Sequence, residues 1–469
     1  MTAAARGYSL EFIQSMLSED GGRMYGWIND LKLKSVFQPA FSLPHKKAVG
    51  FDAHMRSADS KGRPVAPRDL FGPTANFAET SMLDLLCSTM HVHNFFLGSK
   101  PHGLLLLNLH PDVFVDYEAT APFLSSLFRR YDVPGGRVMI DIPGSQVTRE
   151  GVGEAARAYR QLGCLIAVDD FGVENTDLDS IWHLAPSLVK MGPGMMSQAL
   201  ASARMRQTLP RAVSLLHELG SLVLAEGLES EMEALIAIDA DTDFGTGHYF
   251  GPPLDLVDEF RPPEERLNGI WRTYREKRVS TISGETAARQ TLEAGALRSS
   301  YIGRLRQASP EKIRRHREVR RPYILAVQKI ASLLDGPGSF EASCDAFLAL
   351  PGTIRCFLLD DQGGQVGPDV RSPNPPTPQA PDFNRLAGES AGDWSRRDFF
   401  LRAVKEPGIT QVSRQYCSLT GYLHCVTFSL ALRLEGKTYV VCGDVDWTEN
   451  AAAAGDPQPA RAATVPTSS

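Results

Sequence analysis

Short apolar runs alternate with longer stretches of helical periodicity between Lys34 and Pro253. The runs are SVFQPA from Ser35, AVGFDAHMRS from Ala48, GLLLLNL from Gly103, RVMIDI from Arg137, LIAVDDF from Leu165, SLVKMG from Ser187, LVLAEG from Leu222 and GHYFGPP from Gly247. Near-continuous apolar runs separated by helices predict strands of a mostly parallel sheet that is covered on both faces. Eight of them predict an α/β fold, a TIM-like (β/α)8 barrel of about 250 residues. Residues 1–29 predict a helical, partly amphipathic lead segment, and the barrel is expected over 30–261. The charged, helix-forming stretch 262–335 predicts connecting helices, whose RRHREVRR cluster reads first as a solvated helix face.

From Gly336 the period changes. TIRCFLLDD, TQVSRQYCSL, LHCVTFSLALRL and KTYVVCGDVDW predict an antiparallel sheet within a smaller α+β domain over 336–449. The Pro-rich GPDVRSPNPPTPQAPDF predicts a loop, and the small, polar residues 450–469 predict a disordered tail.

Composition narrows the classes. The chain has 469 residues, 43% hydrophobic and 22% charged, which suits ordinary globular domains. Its 49 basic against 55 acidic side chains give a net charge of -6, so no bulk attraction to DNA is expected. The N-terminus has no signal-peptide pattern and no run reaches membrane-spanning length, so a cytoplasmic location is expected. Seven scattered cysteines without a C-x-x-C argue against a disulfide scaffold or a zinc ribbon.

In a barrel, the C-terminal ends of the strands share one mouth. Those ends carry Gln38, Asp52 with Arg56, Asn108, Asp141, Asp169 with Asp170, Lys190, Glu226 and Thr246. Any one of these acids could be no more than a helix N-cap. Caps need not be acidic on successive strands, however, so the set carries the argument. Converging carboxylates repel, and a divalent cation relieves that repulsion. Oxygen-rich ligands without a Cys or His cluster favour Mg2+ or Mn2+ over zinc.

The ordered motifs resemble the EAL-domain cyclic-di-GMP phosphodiesterases of bacterial second-messenger signalling. They are Phe37-Gln38-Pro39, GFDAHMR at 50–56, Asn108, Asp141, Asp169-Asp170-Phe171-Gly172, Lys190, Ala225-Glu226-Gly227-Leu228-Glu229, and Gly247 to Pro253. The resemblance implies a modified barrel whose first strand runs antiparallel to the rest. It also implies two metal ions and in-line hydrolysis of cyclic-di-GMP to linear pGpG. By position, Asp52, Asn108, Asp141 and Asp169 would hold one ion, and Asp169 with Asp170 would serve the other. Lys190 would orient the attacking water, Glu226 would support the metal site, and Arg56 would hold a substrate phosphate. Gln38, Glu229 and Thr246 would complete the substrate side.

This sequence departs from the family pattern. Glu-Ala-Leu reads Asp52-Ala53-His54, and the acid of the fourth strand is Asp141 rather than Glu. Each loss of a methylene shortens reach by about 1.5 Å. The family's last glutamine is Thr246, Lys-Ile-Asp reads Lys190-Met191-Gly192, Gly-Arg-Pro reads Gly251-Pro252-Pro253, and Glu174 replaces a glycine in the loop after DDFG. Three functions stay open: a phosphodiesterase, a catalytically silent cyclic-di-GMP receptor, and a protein-interaction scaffold. Retention of Asp169, Asp170, Lys190 and Glu226 favours either of the first two over the scaffold, Asp52, Asp141 and Thr246 favour the receptor over the phosphodiesterase, and the balance is binding with slow or conditional hydrolysis.

The C-terminal stretch resembles PAS-like or Cache-type sensor domains through an R-x-x-F-F helix, a Tyr-containing strand and a strand ending in Asp. That resemblance implies a small-molecule pocket with Arg397, Tyr416 and Asp444 as polar candidates. The long helices suggest a homodimer.

Overall fold

The computed structural model describes residues 8–28, 30–66, 70, 76–96, 103–172, 178–257, 260–284, 310–378, 383, 392–422, 424–448 and 450. The loop from Val173 with Glu174, the segment between the two long helices and the tail after 450 lie outside the described residues. The chain divides between Glu264 and Glu265 into two units.

In the first unit the lead segment is helical only over Leu10–Ser15. A hairpin follows, β1 (Leu17–Asp20) and β2 (Arg23–Ile28). This corrects the expectation of a helical segment to residue 29. The cause is Gly21-Gly22, both at positive φ, between the paired Asp20 and Arg23. A two-residue turn of left-handed glycines matches the twist of a hairpin and ends a helix.

The barrel strands are β3 (Leu31–Ser42), β4 (Lys47–Ala58), β6 (Leu104–Asn108), β7 (Val138–Pro143), β8 (Leu165–Phe171), β9 (Leu188–Met191), β10 (Leu222–Ala225) and β11 (Phe244–Gly245); β5 (Pro64–Val65) edges β4. The sheet order β3-β11-β10-β9-β8-β7-β6-β4, with β3 also paired to β4, closes the barrel. β3 is antiparallel to both of its neighbours, and the other barrel pairings are parallel. The eighth strand corrects the expectation at Gly247. It is the two residues Phe244–Gly245, while Gly247 at φ 151° and Pro252-Pro253 cannot continue a ladder. Strands such as LLLLN in β6 are buried on both faces, as their unbroken apolar character requires. Phe37, Phe41, Phe51, Phe95 and Phe250 are buried in this unit's core.

The second unit is an antiparallel sheet in the order β13-β12-β16-β15-β14. Its strands are β12 (Thr353–Leu359), β13 (Gln365–Arg371), β14 (Gln411–Val412), β15 (Cys425–Leu434) and β16 (Lys437–Asp446). β13 takes the first residues of the predicted Pro-rich loop, and the strand expected over TQVSRQYCSL shrinks to Gln411–Val412. The helix Pro310–Leu333 is part of this unit's core, not a free connector. Its Tyr323, Val327 and Ile330 pack on Cys356, Leu358, Phe428, Val441 and Trp447. Its Arg314, Arg315 and Arg317 face solvent. All seven cysteines are buried and none is in a disulfide. Among the described residues, no helix is long and apolar enough to cross a membrane.

Candidate functional site

Parallel register carries the predicted side chains to one rim. Asp52 stands level with Leu106, and Asn108 is level with Asp141. Lys190 comes from the middle of β9, where an apolar four-residue strand buries it completely. Its ammonium donates to Asp52 Oδ2 at 2.8 Å, Asp141 Oδ2 at 2.9 Å and Asp169 Oδ2 at 3.1 Å, and pairs with Glu226 Oε1 at 2.9 Å. Asn108 Nδ2 donates to Asp52 Oδ1 at 2.7 Å. Side chains from five strands or strand ends thus meet around one ammonium.

Asp169 and Asp170 would face opposite sides of a regular strand. Here the register of β8 on β9 shifts between Val168 and Phe171, and Asp170 sits at φ 53°. This bulge turns both carboxylates the same way. Oxygens of Asp169, Asp170 and Glu226 all lie within 4.8 Å of one another. The glycines of the two neighbouring motifs are steric requirements. Gly172 and Gly227 have positive φ, and a Cβ on them would collide with Met195 and Pro193 respectively. Ser230 and Glu233 form a capping box that starts the next helix directly after this loop.

One ammonium cannot neutralise four carboxylates. Burial and the neighbouring acids push Asp141 up to about 7 despite Lys190. Burial, helped by Asp169 and Asp52, pushes Glu226 up to about 8. For Asp52, burial works upward but is outweighed by Lys190, His54 and Asn108, and its carboxyl is held below the usual range. Burial alone would lower Lys190, yet the surrounding acids hold it well above the ordinary lysine value. Asp141 Oδ1 is buried and accepts no hydrogen bond. An unpartnered buried oxygen, an excess of acids and a three-carboxylate cluster are the donor chemistry that hard divalent cations take. The residues therefore fit the implied ions.

Other predicted residues stand outside this centre. Gln38 is level with Asp52, but its Nε2 donates to Gly251 O at 2.7 Å. Thr246 Oγ1 donates to Pro39 O at 2.9 Å. Both tie the barrel seam. Glu229 is exposed and pairs with His248 at 3.0 Å. Arg56 is exposed on the rim, two positions beyond His54. Sequence reasoning named His54 only as a departure from the signature, yet its Nε2 lies 3.9 Å from Asp52 Oδ1. It also missed Asp84, a buried carboxylate that accepts from His110 N at 2.9 Å and so anchors the loop after Asn108.

In the second unit, Arg397 lies over the Tyr416 ring at 5.8 Å. The Tyr416 hydroxyl shares Thr427 with Asp444, and Asp444 also accepts from Arg355 Nε at 2.8 Å. Arg355 donates further to Asp369. Asp444 is thus committed to an internal ion-pair row across β13, β12 and β16.

A closed barrel with one antiparallel strand and an acid-lined mouth defines the class of the first unit. Residues 27–253, within the first unit, match the family described as the EAL domain. Among curated proteins, the chain is 24% identical over 152 residues to the cyclic di-GMP phosphodiesterase RocR of Pseudomonas aeruginosa, covering 32% of this chain and 38% of RocR. It is 23% identical over 256 residues to the EAL-domain protein YkuI of Bacillus subtilis, covering 52% of this chain and 62% of YkuI. The matched stretches span 30%, 38% and 28% of the first three curated relatives. Among solved structures, YkuI in complex with c-di-GMP and calcium aligns with 18% identity and TM-score 0.47, covering 88% of this chain and 94% of that one. The c-di-GMP-bound EAL domain of FimX from Pseudomonas aeruginosa aligns with 17% identity and TM-score 0.45, covering 49% of this chain and 93% of that domain.

Proposed function

We propose that the first unit binds cyclic-di-GMP at a two-ion Mg2+ or Mn2+ site and hydrolyses it, slowly or conditionally, to linear pGpG. The observation that carries this reading is the meeting of Asp52, Asp141, Asp169 and Glu226 at Lys190, with Asp141 Oδ1 left unpartnered. Divalent ions held by Asp52, Asn108, Asp141, Asp169 and Asp170 would supply charge neutralisation and a nucleophilic water at neutral pH. Lys190 holds the carboxylates in register and offers its protons where an attacking water would be oriented. Arg56, on the rim, suits a phosphate by charge.

Silent binding is the second reading. It is favoured by the short Asp52 and Asp141 and by the engagement of Gln38 and Thr246 with backbone carbonyls. Turnover in Mg2+ or Mn2+, paired with calorimetric titration of cyclic-di-GMP in Ca2+, separates the readings. Product that disappears in Lys190→Ala supports the enzyme, and heat without product supports the receptor. No heat with any metal overturns both and leaves the scaffold. For the second unit, we read a PAS-like sensor that pairs two chains, with Arg397 and Tyr416 nearest to a ligand. Its five-stranded antiparallel sheet supports that reading.

A further inference from the structure

We infer that His54 is a metal ligand, so that the ion beside Asp52 is a nitrogen-ligated first-row transition dication rather than Mg2+. The inference rests on the two-ion reading of the mouth. Strand alternation puts Asp52, His54 and Arg56 on one face of β4, and the register of β4 on β6 carried one step on sets His54 level with Asn108. The imidazole Nε2 lies 3.9 Å from Asp52 Oδ1, the oxygen that Asn108 also reaches. An ion bound at about 2.1 Å to each of two atoms holds them no more than about 4.2 Å apart. The observed separation therefore admits one ion between them without moving the backbone.

The two departures at this corner are complementary. Asp52 is one methylene shorter than the Glu of the family signature, and His54 stands where that signature has Leu, which offers no donor. The imidazole, 40% exposed, supplies a ligand from the rim where the carboxylate has drawn back. Replacing an aliphatic side chain by imidazole also changes which metals the corner prefers. Nitrogen donors suit the later first-row ions, while Mg2+ keeps to oxygen.

The test uses the full chain loaded with Mn2+ alone. Electron spin-echo modulation of the bound Mn2+ is expected to show coupling to imidazole 14N, which is lost on 15N-histidine labelling and in both His54→Leu and His54→Gln. Calorimetry is expected to show about a 10-fold loss of Mn2+ affinity in His54→Leu and less than about a 3-fold loss for Mg2+. Bound Mn2+ without 14N coupling, or coupling that persists in both variants, overturns the role of His54 and leaves the metal site standing. Wild-type chain that takes up no Mn2+ overturns the two-ion reading itself, and this inference with it.

Discussion

Lys190 is the one cation, among the described residues, that four carboxylates share. Four acids rely on it, so Lys190→Ala should do two separable things. Turnover should fall by at least about 100-fold, because the group proposed to orient the attacking water is gone. The metal-free chain should also lose about 3–5 kcal/mol in urea melts, much of it returning with Mn2+, because a broken buried ion pair leaves uncompensated charge. Asp52→Glu should raise kcat by restoring reach, about 10-fold in a His54→Leu background and less where the imidazole already supplies a ligand, checked by product formation. Asp84 gives a pH signature. Burial pushes its carboxyl up to about 7 against the hydrogen bond from His110. An acid whose folded pKa is raised stabilises below its unfolded value near 4 and loses that contribution as pH rises through 7. Asp84→Asn keeps the acceptor, so its urea stability should fall less than wild type between pH 4 and pH 8, by up to about 4 kcal/mol. The acids that gather at Lys190 were legible residue by residue because parallel strands end at one rim. Gln38 and Thr246 were not legible, because their partners Gly251 and Pro39 lie far along the chain and only closure brings them near.

The strand carrying Asp169 and Asp170 makes the same point for elements. Its apolar run announced a strand, but alternation predicts that consecutive aspartates diverge. The bulge and the left-handed Asp170 overrule that, and nothing in LIAVDDF marks them. Motif glycines were easier to see than to explain until their neighbours were in place. Gly227→Ala would force a Cβ into Pro193 at positive φ, and should cost about 2–4 kcal/mol by thermal or urea melting, with loss of turnover as Glu226 moves. Element boundaries failed where glycine chemistry decided them. Gly21-Gly22 folded a predicted helix into a hairpin, and Gly247 displaced the eighth strand toward Phe244.

At the scale of the whole molecule, each unit has its own core and its own buried ionic feature. Arg355, Asp369 and Asp444 in the second unit form an enclosed row far in sequence from the acid-lined mouth. Asp444→Ala should destabilise the second unit by about 3–5 kcal/mol, seen as a lowered calorimetric transition. The order of synthesis adds a constraint. Every proposed ligand has been translated by Glu226, yet the ring is completed only by Phe244–Gly245, which pair with β10 on one side and β3 on the other. A nascent chain halted near residue 230 would possess all the chemistry and no cavity. The shortest strand in the ring, two residues with no acid between them, decides when the mouth proposed to hold a ligand is first enclosed.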